Sequence, residues 1–149
     1  MLLCCLYLIP NACSQPDAYD SENKPIYFSE MKGKWIYINY WAKWCRNCLH
    51  EVDELNLFYD HHKKDNVTVI GVSFDPLDTC EIKGFAQEHH IAYPMLTTDP
   101  REHWHIPAIP ILPVTYIINP HGHLVKTLSG PQTEESLNLA MTEDAGILV

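Results

Sequence analysis

Between Trp35 and Phe74 the hydrophobic pattern changes period twice. Trp35-Ile36-Tyr37-Ile38-Asn39-Tyr40-Trp41 is almost continuously apolar, β-branched and aromatic, which reads as a buried strand over about 35–40. Leu49, Val52, Leu55 and Phe58 then recur at helical spacing, with His50, Glu51, Asp53 and Glu54 between them. That spacing predicts a helix over about 45–61, closed by Lys63-Lys64-Asp65-Asn66 with its cations at the negative end of the dipole. Val67-Thr68-Val69-Ile70-Gly71-Val72-Ser73-Phe74 returns to strand character and has few polar positions. Burial on both faces, as in a parallel sheet, accounts for such a run.

Asp75-Pro76 ends that strand, and a helix follows over about 78–89 with Ile82, Phe85 and Ala86 inward. From His90 to Leu112 the prolines 94, 100, 107 and 110 predict loop. Val114 to Ile118 and His123 to Leu128 flank Asn119-Pro120-His121-Gly122 and read as a hairpin. Thr133 is the expected N-cap of a last helix. Upstream, Ser29 to Lys34 reads as a turn with Gly33 at positive φ, and Pro25 to Phe28 as an edge segment. The order β-α-β-α-β-β-α describes an α/β fold with a central mixed sheet flanked by helices.

At 149 residues this is one domain, large enough to bury a good core. A formal charge of −9 with no basic run argues against nucleic acid as a partner. Leu2 to Pro10 is apolar but too short to cross a bilayer as a helix. It resembles the hydrophobic part of an export signal, although no Lys or Arg precedes it. Ala12-Cys13 resembles the end of a bacterial lipoprotein box, so residues 1–13 read as a leader, with Cys13 a candidate lipid attachment point. Residues 14–28 read as a linker and edge segment, and 29–149 as the folded domain.

The chemistry sits in Trp44-Cys45-Arg46-Asn47-Cys48, at the junction of the first strand and its helix. Two cysteines with two residues between them can close a disulfide across the first helical turn. At that position the first N–H groups lack intrahelical partners, and the dipole favours a thiolate, as do the adjacent Lys43 and Arg46. A free thiol has a pKa of about 8.5, whereas such settings lower it to roughly 3.5–7.5. Cys45, at the exposed helix start, is expected to attack, and Cys48, one turn inward, to resolve. A zinc half-site is the competing reading of CxxC, but no second ligand pair follows.

The strand–CxxC–helix order resembles the thioredoxin plan. Lys32-Gly33-Lys34, Asn39 through Cys45, Glu51 with Leu55, Gly71 to Asp75 and Leu112 to Gly122 resemble the TlpA/ResA branch of bacterial periplasmic thiol-disulfide oxidoreductases over about 29–139. This resemblance implies a thioredoxin-like fold with a redox-active Cys45–Cys48 disulfide as its only cofactor. It also implies a cis bond before Pro113, beside the CxxC, with Leu112 pairing an incoming peptide in strand fashion. Protein disulfides would be the substrates, reduced as in cytochrome c maturation, with a membrane thiol transporter of the DsbD type as donor in the periplasm. Three positions depart from the branch or from thioredoxins proper. Arg46 and Asn47 replace the commoner dipeptides, so the potential and the direction of exchange stay open to an oxidant or isomerase. Asp53 stands where many relatives kink the helix with proline. Asn39 replaces the buried aspartate of thioredoxins proper, a replacement common in this branch.

Trp41 reads as core, and Trp44 as part of a substrate-facing rim. Glu51, one turn beyond Cys48, reads first as part of a solvated helix face, with proton transfer for Cys48 as the alternative role. Cys80 reads as a small buried hydrophobe. His103 and His105 admit a copper-binding chaperone of the Sco type as the alternative function, but such proteins space their cysteines CxxxC.

Overall fold

The computed structural model describes residues 15–142; the leader with Cys13 lies outside them. The core is a five-stranded mixed sheet. In chain order its strands are β3 (Trp35–Trp41), β4 (Val67–Ser73), β5 (Met95–Leu96), β6 (Val114–Ile118) and β7 (Leu124–Ser129). In space they run β5-β4-β3-β6-β7. β3 and β4 pair in parallel, and β6 returns antiparallel to β3. The parallel step needs a crossover, and the helical stretch after the cysteines supplies it. That stretch is two segments, α1 (Arg46–His50) and α2 (Val52–His62), rather than one helix. The interruption falls at Glu51, two residues before Asp53.

Strand periodicity divides β3 between two cores. Tyr37 and Trp41 face a cluster with Leu55 and Phe58 of α2, Ile82 and Phe85 of α3 (Thr79–Glu88), and Leu137 of α5 (Glu134–Thr142). Both cysteines belong to this cluster. Trp41 lies in the core as expected, stacked on Phe85 with ring centroids 4.0 Å apart. α3 starts on a capping box between Asp78 and Glu81, and α5 on Thr133, whose hydroxyl accepts the Ser136 N–H at 3.2 Å. Either cap satisfies an otherwise orphaned donor.

Ile36, Ile38 and Tyr40 face the other way, with Val114, Tyr116 and Ile118 of β6. Two segments read from sequence as linker and loop cover them. Within the stretch read as linker and edge segment, β1 (Ala18–Tyr19) and β2 (Pro25–Ile26) form a small hairpin, Ala18 and Phe28 are buried, and Asp20 bridges to Leu96. Asp20 accepts from the N–H groups of Glu22 and Lys24, which closes the hairpin turn. The supposed loop before Pro113 contains β5 and a short helix, α4 (Arg101–Trp104), and it buries Trp104 and Ile106. A sheet face carrying isoleucines and tyrosines gains roughly 25 cal/mol per Å² of apolar surface taken out of water. That gain is what draws these irregular stretches onto it.

Candidate active site

β3 delivers the chain to Ala42, and the Cys45 N–H bonds the Ala42 carbonyl at 3.0 Å. Cys45 is the N-cap of α1 in extended conformation, and its Sγ accepts the Cys48 N–H at 3.2 Å. The two sulfurs form a disulfide, with Cα atoms 5.3 Å apart. Cys45 is less open than its helix-start position suggests: it is 6% exposed against 3% for Cys48. Packing of the oxidised pair on the core covers both, and the outer cysteine keeps the larger opening. Trp44 is 67% exposed, and Arg46 and Asn47 are exposed as well. Lys43 is engaged by Glu81 at 2.8 Å, whereas Arg46 has no carboxylate at ion-pair distance among the described residues.

The Leu112–Pro113 peptide is cis, and Leu112 packs on the cluster that holds both cysteines. Val114 follows directly and pairs with Tyr40, so the proline arrives at the end of β3 that leads to Cys45.

Glu51 corrects the plainer sequence reading. It is not on a solvated face but 1% exposed. Its Oε1 accepts from Asn39 Nδ2 at 2.7 Å and its Oε2 from the Gln132 N–H at 3.0 Å. Asn39 Nδ2 also donates to Thr115 Oγ1 at 3.1 Å. Burial raises the Glu51 carboxyl from about 4.5 to about 7, although both hydrogen bonds pull the other way. Desolvation dominates because two neutral donors do not replace the hydration of a charge. Tyr93 lies close by, and burial, with the Glu51 charge adding, holds its hydroxyl protonated. Three residues along the chain from Cys48 there is thus a buried carboxyl whose pKa is raised to about 7.

Thr115, Gln132 and Tyr93 escaped the sequence reading. Thr115 carried a weak signal, being the polar position on the inner face of an apolar strand, directly opposite Asn39 in register. Gln132 acts through its backbone, for which no side-chain pattern exists. Cys80 is exposed rather than buried, because it falls on the outer side of the first turn of α3. His103 does not approach the cysteines; its ring packs on Phe28 and Trp104, at 4.6 and 4.8 Å, beside Ile36 at the far end of β3. Among the described residues no group of three or more His, Cys, Asp or Glu is arranged to hold a metal ion.

A cysteine pair at the end of a central strand, a cis-proline and a buried carboxyl on this sheet define a thiol-disulfide oxidoreductase of thioredoxin-like fold. The chain belongs to the AhpC/TSA family, whose profile matches residues 9–127. It is 28% identical over 118 residues to the thiol-disulfide oxidoreductase ResA of Bacillus thuringiensis subsp. konkukian, covering 79% of this chain and 68% of that protein. The ResA of Bacillus subtilis matches at 28% over 119 residues, covering 80% and 66%. Among solved structures, StoA from Bacillus subtilis superposes with a TM-score of 0.69 at 24% identity, over 83% of this chain and 93% of its own. A thioredoxin-family thiol:disulfide interchange protein from Chlorobium tepidum gives 0.73 at 19% identity, over 91% and 99%.

Proposed function

We infer that the protein works outside the cytoplasm, held to the membrane by its N-terminal segment, and reduces disulfides in other proteins. The observation that carries the reading is the Cys45–Cys48 disulfide at the start of α1, with the cis Leu112–Pro113 peptide at the same end of β3. In the reduced enzyme the Cys45 thiolate attacks a substrate disulfide, forming a mixed disulfide and releasing one substrate thiol. Cys48 then loses its proton and attacks Cys45 Sγ, which closes the internal disulfide and frees the second substrate thiol. A carboxylate at hand takes the Cys48 proton in that step and returns it when the enzyme is reduced again. Trp44, Leu112 and Pro113 form the surface on which the substrate strand lies, the Leu112 backbone pairing with it.

The substrates belong to the cytochrome c maturation type, and a membrane thiol transporter of the DsbD type returns electrons to Cys45–Cys48. The resemblance to the TlpA/ResA branch and the apolar residues 2–10 support these assignments. A Cys48→Ala variant expressed in the periplasm tests the mechanism, because it cannot resolve the mixed disulfide. It should accumulate disulfide-linked partners through Cys45, and a Cys45→Ala variant should not. If Cys48→Ala traps no protein, exchange with protein substrates is wrong.

A further inference from the structure

The end of the sheet opposite the disulfide carries two adjoining clefts that the redox chemistry does not use. One, of about 330 Å³, brings together Lys24, Lys34 and Lys63 with Glu30 and Asp65 over a floor that includes Ile70. Its neighbour, of about 510 Å³, shares Tyr27 and Met31 with it and has Phe28 and Trp104 in its wall, and Gln15, the first described residue, lines it too. Lys63 is paired with Asp60. Lys24 and Lys34 have no carboxylate at ion-pair distance among the described residues.

Charge is unevenly placed. Four of the ten Lys and Arg side chains, Lys24, Lys32, Lys34 and Lys63, line these clefts. The carboxylates lining them are Asp17, Glu30 and Asp65, and Asp60 engages Lys63 at the rim. Cations at this end therefore match or exceed anions, on a chain whose net charge is −9. An acidic protein approaching an anionic bilayer is repelled less at an end where cations balance anions.

The N-terminal segment enters at the same end. The Asp17 N–H already bonds the Ile26 carbonyl at 3.0 Å, so the tether is far shorter than a linker of residues 14–28 would be. From Pro10 to Asp17 the chain can span at most about 25 Å. A tether that short keeps this end of the domain against the surface that holds residues 2–10.

We propose that the lysine-bearing cleft of Lys24, Lys34 and Lys63 and its aromatic neighbour dock on an anionic phospholipid bilayer, the lysines meeting lipid phosphates. β3 rises about 20 Å from this end to Trp41, and the disulfide follows, so docking turns Cys45 away from the membrane toward soluble partners. The inference rests on the N-terminal tether of the preceding section.

The test uses the full chain with vesicles of pure phosphatidylcholine and vesicles containing phosphatidylglycerol, scored by co-sedimentation. Stronger binding to phosphatidylglycerol is expected, reduced about tenfold or more in a Lys24→Gln, Lys34→Gln, Lys63→Gln triple variant and weakened by salt. Lys83→Gln, a cation on α3 paired with Glu22, should change it much less, and the triple variant should exchange soluble disulfides at the normal rate. Equal binding to both vesicles, unchanged in the triple variant, overturns the docking surface and leaves the tether standing. Binding to neither vesicle overturns both.

Discussion

Asn39 Nδ2 donates to Glu51 Oε1 at 2.7 Å across 12 residues of sequence, joining the strand that leads to the disulfide with the helix interruption that follows it. The same amide holds Thr115 on the next strand. One neutral side chain therefore positions the buried carboxylate without neutralising it, so the carboxyl stays titratable near pH 7.

Because the folded Glu51 carboxyl is raised above its ordinary value of 4.5 to about 7, the protonated form is favoured by folding. Its contribution to stability is fully present below about pH 4.5 and is lost as pH rises through about 7. The full effect is on the order of 3 kcal/mol. Glu51→Gln should abolish that component: relative to wild type, the variant should gain stability between pH 5 and pH 8. Urea midpoints at the two pH values, compared between the two proteins, measure it. The rate of Cys48 attack on a mixed disulfide should also lose its pH dependence near 7.

Asn39→Asp would set a second carboxylate against Glu51. Two such groups cannot both ionise at hydrogen-bond distance, so the pair should hold a proton at neutral pH. We expect little loss of stability at pH 5 and a loss of about 2–4 kcal/mol at pH 8, read as a widening gap in Tm between variant and wild type.

Arg46 is exposed, and Glu81 already engages Lys43. Arg46→Glu should therefore remove the main side-chain cation favouring the Cys45 thiolate and raise its pKa. A less stable thiolate makes the disulfide relatively more stable, so the potential should fall. A change of about 0.5–1 kcal/mol corresponds to roughly 10–20 mV for this two-electron couple. Redox titration against glutathione measures the shift, and an unchanged or higher potential would contradict the assignment.

Two glycines should respond in opposite directions. A Cβ at Gly71 would lie 2.3 Å from Met95 Sδ and 3.2 Å from Tyr93. Gly71→Ala should cost about 1–3 kcal/mol, partly recovered by Met95→Ala in the same chain. Gly84, in the middle of α3, has open space where its Cβ would stand, with nothing within 4 Å. Gly84→Ala should stabilise by up to about 1 kcal/mol through helix propensity alone. Thermal unfolding of the three variants checks both signs.

Local information in the chain was enough to place the redox pair. The apolar run of β3, the CxxC and the helical spacing behind it all lie within 24 residues, 35–58, and each depends on neighbours in sequence. The hairpin and the Thr133 cap were legible for the same reason. Legibility failed where a residue's surroundings come from distant chain. Glu51 sits among acidic and polar neighbours that suggest solvent, yet it is enclosed by Asn39, 12 residues away, and Gln132, 81 residues away. Cys80 failed in the opposite sense, since an apolar side chain at a helix start can face either way.

The nearly continuous apolar runs of β3 and β4 required two covered faces, and the spacing of the cysteines suited a helix start. Which segments would cover the second face was undecidable from pattern, because the hairpin of 18–26 and the stretch of 95–106 have no long period. Tertiary packing settled that choice by bringing Ala18, Phe28 and Trp104 onto Ile36, Ile38 and Tyr116. It also placed β6 antiparallel beside β3, setting Thr115 opposite Asn39 and enclosing Glu51. A carboxyl's pKa follows the water it loses, and only the assembled sheet and helices determine that loss.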